Sequence, residues 1–185
     1  MKICILLGAL SWIFASSVSA DNIVMNPGFE TGDFTGWTLF SPGGDTVVDS
    51  ANPNSGSFSV DSGPVGALDF VSQVLPTTVG IQYTFAFYLA SDGNTPNDFV
   101  ASWDGTPVYN ADDLPAFDYQ LLAFNVMASS SSTAIEFGFR NDFGFFQLDD
   151  VSVDTPEPGI AWLMLLGLGT FLAVKMGRSS RSGAR

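Results

Sequence analysis

Carboxylates are the chemistry this chain holds in abundance. Residues 21–155 carry 18 of its 19 acidic side chains against one base, Arg140, a net charge of −17. The same segment has no His, Cys or Lys. Imidazole acid–base steps, thiol chemistry, Schiff bases and activated-serine schemes therefore lack their parts. Paired carboxylates can still cleave a glycoside, but no spacing here sets a proton donor apart from a nucleophile. A small glycan hydrolase is the weaker reading, and an enzyme is not expected. So acidic a segment also argues against nucleic acid or anionic lipid as partners. It favours divalent cations, neutral or basic ligands, or simple solubility.

Binding is what remains. A sugar site needs an aromatic platform with amide and charged hydrogen-bonding groups on a concave face. Tyr88, Gln73, Gln120, Glu136 and Arg140 supply such groups if their strands bring them onto one polar face. Trp103 and Tyr109 flank a turn and offer an edge platform, although Trp37 and Trp103 also occupy positions that read as core. Arg140, alone among so many acids, is expected to pair first with a carboxylate such as Glu136 or Asp142.

These side chains must be held by strands. Residues 21–155 show no helical periodicity of useful length, only short β-rich runs broken by Gly, Pro, Asn and Asp. The expected strands are Ile23–Met25, Trp37–Phe40, Thr46–Asp49, Phe58–Val60, Asp69–Leu75, Gln82–Leu89, Asp98–Trp103, Pro107–Tyr109, Tyr119–Val126, Ala134–Arg140 and Phe145–Val153. That number of strands suits an all-β, two-sheet sandwich of jelly-roll type. Alternation sends Tyr83, Phe85, Phe87 and Leu89 to the core, and likewise Phe99, Ala101 and Trp103, and Ile135, Phe137 and Phe139. Asp104-Gly105 reads as a hairpin turn. Without cysteines the fold must rest on burial of its phenylalanines.

The two ends read differently. Residues 1–20 have a positive start, an apolar core and a small-residue finish at Ala20, the pattern of a cleaved signal peptide that would carry the single Cys4 away with it. At the other end Pro156-Glu157-Pro158 precedes an apolar stretch, expected to span a membrane over residues 159–176. A basic tail, residues 175–185, follows and belongs on the cytoplasmic side. The reading is a signal peptide (1–20), a β-sandwich ectodomain (21–154) and a C-terminal signal (155–185).

That C-terminal arrangement resembles the PEP-CTERM sorting signal of exported proteins from exopolysaccharide-making bacteria. The resemblance implies that Pro156, Glu157 and Pro158 are recognised by an exosortase, a membrane transpeptidase-like enzyme that removes the span. The product would then sit at the cell surface or in an exopolysaccharide or biofilm matrix. A permanently anchored structural or adhesion protein is the alternative. A second resemblance spans residues 22–153. Asn26-Pro27-Gly28-Phe29-Glu30, Phe34-Thr35-Gly36-Trp37 and Gln147-Leu148-Asp149-Asp150-Val151-Ser152-Val153 are similar to the opening and closing segments of carbohydrate-binding-module-like, galactose-binding-type jelly rolls. It implies neighbouring first and last segments, weak glycan binding, and a structural Ca²⁺ held by Glu30 with Asp149 or Asp150.

Overall fold

The computed structural model describes residues 21–155. Ten strands form where alternating apolar residues leave one side to bury. They are β1 (Thr38–Phe40), β2 (Thr46–Asp49), β3 (Ser59–Ser62), β4 (Asp69–Pro76), β5 (Gln82–Ser91), β6 (Asn97–Trp103), β7 (Thr106–Asp112), β8 (Phe117–Met127), β9 (Ser132–Asn141) and β10 (Phe146–Asp154). The expected strand Ile23–Met25 is not one of them. It touches the sheet through an isolated bridge from Asn22 to Asp154 and an Ile23 N–H bond to the Val153 carbonyl. Asn22 Oδ1 accepts the Val24 N–H at 3.0 Å, a local bond that competes with a ladder. Asn26, at φ 48°, then turns the chain away.

The strands build two antiparallel sheets packed as a jelly-roll sandwich. Sheet one runs β1-β4-β9-β6-β7 and sheet two runs β2-β3-β10-β5-β8. Between them lie Phe85 and Phe87 of β5, Phe99 of β6, Phe137 and Phe139 of β9 and Phe146 of β10, all without solvent exposure. Each contributes roughly 1.5–3 kcal/mol on burial. Their rings meet at angles that suit the aromatic quadrupole: Phe87 stands edge-on to Phe137 at 5.0 Å and 80°. The inward assignments made for β5, β6 and β9 all hold. So does the hairpin at Asp104-Gly105, where both residues adopt positive φ (50° and 73°), as a tight turn of matching twist requires. Residues 20–156 form a compact unit of their own, with the core named here closed between its two sheets.

The signal peptide, the Pro156-Glu157-Pro158 motif, the apolar span and the basic tail lie outside the described residues. Among the described residues no helix is long and apolar enough to cross a membrane.

Candidate functional site

The residues expected to form a sugar site do not come together. Gln73 alternates with Val71 and Leu75 and points inward, where its amide accepts the Met25 N–H (2.8 Å) and donates to the Met25 carbonyl (3.0 Å). It replaces the ladder that residues 23–25 do not make. Trp103 is buried, its indole N–H donating to the Met127 carbonyl at 3.0 Å. Tyr109 lies opposite Ala101 and leans on Phe99 and Phe124, so its ring closes the edge of the core. Tyr88 and Gln120 belong to sheet two, and only Glu136 and Arg140 share a face. Arg140 pairs as expected: Nε and Nη2 donate to Asp142 at 2.9 and 2.7 Å, and Nη1 donates to Asp98 at 3.1 Å. The guanidinium holds the Asp142 carboxyl down at about 2.

The outer face of sheet one carries an arrangement the sequence reading missed. Register places Asn110, Val100, Gly138, Phe70 and Phe40 side by side across the five strands. Phe40 is 63 % exposed and its ring stacks on Phe70, 6.5 Å away with 28° between planes. Gly138 makes the stripe level. A Cβ there would stand 2.6 Å from Val100 Cγ1 and 2.9 Å from Phe70 Cε1, so the Phe70 ring lies over the bare backbone of β9. Polar rows flank the stripe two residues away on either side, roughly 7 Å along the strands. One is Asp112, Asp98 and Arg140; the other is Ser102, Glu136, Ser72 and Thr38, ending at Pro107 across a bulge between β6 and β7. Among the described residues no hydrogen-bond donor engages the Glu136 carboxylate, while the Asp98 carboxylate is tied to Arg140. The sequence signal for this face was the alternation of Phe70 with Ser72 and Val74, an aromatic in the outward register of β4.

Sheet two carries a cleft of about 530 Å³, lined by Asn52, Ala90, Asp92, Phe117, Asp118, Tyr119 and Gln147 among others. Its polar groups are mostly committed. The Tyr119 hydroxyl donates to the Asn52 carbonyl (2.8 Å), and burial pushes its pKa up to about 12. Gln147 donates to Asp61 at 2.7 Å, where burial raises the carboxyl. For Asp92 burial acts upward too, but N–H donors from Asn94, Phe145 and Asn141 outweigh it and leave the carboxyl lowered.

Glu30, Asp149 and Asp150 do meet, around the loop between β2 and β3. A bulge in β10 between Asp149 and Ser152, with Asp150 at φ 48°, turns neighbouring acids toward the same loop. Asp149 Oδ2 accepts the Asn54 and Ser55 N–H groups at 2.8 and 3.1 Å, and Oδ1 accepts the Asp150 N–H. Asp150 accepts from the Asn54 amide and the Ser55 hydroxyl, both at 2.7 Å. Glu30 accepts the Ser57 and Phe58 N–H groups. The arrangement is a clamp on residues 54–58. Gly28 marks its centre: a Cβ there would lie 3.5 Å from both Asp149 Oδ1 and Asp150 Oδ1 and 3.6 Å from Glu30 Cγ. The donors are all oxygen, as Ca²⁺ prefers. Among the described residues, however, no three acidic side chains stand as a ready metal-binding group, and N–H donors already engage Asp149 and Glu30. Asp149 is fully buried, and burial drives its pKa up to about 6.

The sequence matches no protein-family profile and no curated protein. Its fold does match many solved structures. One is the TmCBM61 module in complex with β-1,4-galactotriose, 17 % identical over 74 % of this chain and 100 % of that one, with a TM-score of 0.62. A second is the CBM22-1 xylan-binding domain of Paenibacillus barcinonensis Xyn10C, at 16 % identity, 78 % and 100 % coverage and a TM-score of 0.55. The K3 cleaved adhesin domain of Lys-gingipain from Porphyromonas gingivalis matches at 12 % identity, 74 % and 99 % coverage and a TM-score of 0.58. At such identities the likeness is one of fold.

Proposed function

We propose that this chain is a non-catalytic glycan-binding module, with the outer face of sheet one as its binding surface. One observation carries the reading. Phe70 and the 63 % exposed Phe40 form an open apolar stripe between two rows of hydrogen-bonding groups. A pyranose ring has the same plan, apolar faces and hydroxylated edges. Laid along the stripe, a saccharide chain would cover the two rings and reach Asn110 at its end, while its edges meet Glu136, Ser72 and Thr38 on one side and Asp112 on the other. Carbohydrate-binding modules among the structures of the same fold support the glycan-binding reading, whichever face is used. The sheet-two cleft is the poorer candidate because its hydroxyl and amide donors already hold the β2–β3 loop and β3.

Export belongs to the same reading. Residues 1–20 act as a cleaved signal peptide. Pro156, Glu157 and Pro158 present the sorting motif to an exosortase-type enzyme, and residues 159–176 hold the chain in the membrane until then. The released module joins an exopolysaccharide layer at the cell surface; uncut, it stays a membrane-anchored adhesin. A structural Ca²⁺ would enter the clamp on residues 54–58 only by displacing N–H donors that now occupy its carboxylates. Glu30, Asp149 and Asp150 would hold it, and the ion would supply positive charge beside the buried Asp149.

Affinity electrophoresis of residues 21–155 through gels cast with different polysaccharides tests the central part. Retardation by at least one of them, lost in the Phe40→Ala, Phe70→Ala double variant, is expected. A double variant retarded as strongly as the parent would remove sheet one from consideration.

A further inference from the structure

We infer that the sheet-one face selects a glycan bearing free amino groups, with Glu136 as the residue that recognises the amine. The inference rests on the glycan reading of this face and names the ligand's chemistry. Glu136 stands near the middle of the sheet, half-buried, with Ser72 of β4 and Ser102 of β6 as its ladder partners. No donor among the described residues engages its carboxylate. Arg140, four residues along the same strand, is the one base of residues 21–155 and is already held by Asp142 and Asp98. The outward positions of β1 and β4 add no charge, being Thr38, Phe40, Phe70, Ser72 and Val74. Those of β6 and β7 add only the acids Asp98 and Asp112. Nothing on the face neutralises Glu136.

A ligand hydroxyl gives such a carboxylate an ordinary hydrogen bond. An ammonium gives a charge-assisted one, roughly twice as strong. The surrounding charge of −17 concentrates cationic ligands and repels anionic ones, so a uronate or sulfated chain meets like charge with no free base to receive it. Glu136 is displaced from the Phe70–Phe40 stripe by two residues, roughly 7 Å. An amine on the edge of a ring stacked on the stripe projects toward that row.

Calorimetric titration of residues 21–155 with a glucosamine oligomer, its fully N-acetylated form and an oligouronate of equal length decides the matter. The free amine is expected to bind about tenfold more tightly than the acetylated form, equivalent to about 1.4 kcal/mol. The margin should shrink as salt rises, and the uronate should not bind. Glu136→Gln should bring the amine and acetylated forms level. Equal affinities in the parent, or a preference that survives Glu136→Gln, would overturn the inference while the glycan reading stands. No binding by any of the three would overturn the inference too, while retardation by another polysaccharide in the gels would keep the glycan reading. Phe40→Ala separates them further, because it should weaken both neutral and amine-bearing oligomers equally.

Discussion

Phe40 illustrates why exposure matters at the level of single residues. A phenylalanine left 63 % open gains little from folding and contributes mainly to whatever covers it. Phe40→Ala should therefore change stability by no more than about 0.5 kcal/mol, while weakening glycan binding about tenfold; denaturant melts and gel retardation give the two numbers. Gly138 makes a complementary case. Its backbone does not need positive φ, so alanine is allowed by conformation, but the added Cβ collides with Val100 and Phe70 side chains. Both neighbours face solvent and can move. Gly138→Ala should cost less than about 1–3 kcal/mol, the usual range for overpacking, yet tilt the Phe70 ring and reduce glycan affinity more than Phe40→Ala does. Gln73 shows what could be read in the sequence and was not. It falls in the inward register of Val71 and Leu75, so alternation alone assigns it to the core. Its pairing with Met25 needed the fold, because no periodicity reveals which loop crosses which strand.

At the level of elements, the strands were legible because each carries period-2 apolar residues. Which strands lie side by side was not. Tyr88 and Glu136 look equally suited to a polar face, yet β5 and β9 belong to opposite sheets. The stripe exists only because β1, β4, β9, β6 and β7 align Phe40, Phe70, Gly138, Val100 and Asn110. The β10 bulge is a second such case: it turns Asp149 and Asp150 onto one loop, and its effect is measurable through pH. Burial holds the Asp149 carboxyl at about 6, above its unfolded range near 3.9. A carboxyl raised by folding contributes stability that is full below the unfolded pKa and is lost as pH rises through the folded one. In chelator, urea midpoints should therefore fall between about pH 4 and pH 7, and Asp149→Asn should flatten that fall. Ca²⁺ at pH 7 is expected to raise the melting temperature of the parent, and an unchanged melt on chelation would remove the proposed ion. Asp142 works in the opposite sense: Arg140 lowers it to about 2, so its contribution disappears only in stronger acid.

For the whole molecule, charge and the two termini dominate. Eighteen acids against one base in residues 21–155 keep that segment soluble without disulfides and bias it toward neutral or cationic partners. The expected handling of the chain is open to mass spectrometry of the exported product. A mature protein beginning at Asp21 and lacking Trp162 fits signal-peptide cleavage and exosortase processing; one that retains Trp162 is the anchored alternative. The most direct test of the central claim is an amide and side-chain shift map of residues 21–155 titrated with a bound oligosaccharide. The account predicts shifts concentrated on Phe40, Phe70, Val100, Asn110, Glu136 and Gly138. Shifts gathered instead around Tyr119 and Gln147 on sheet two would contradict it.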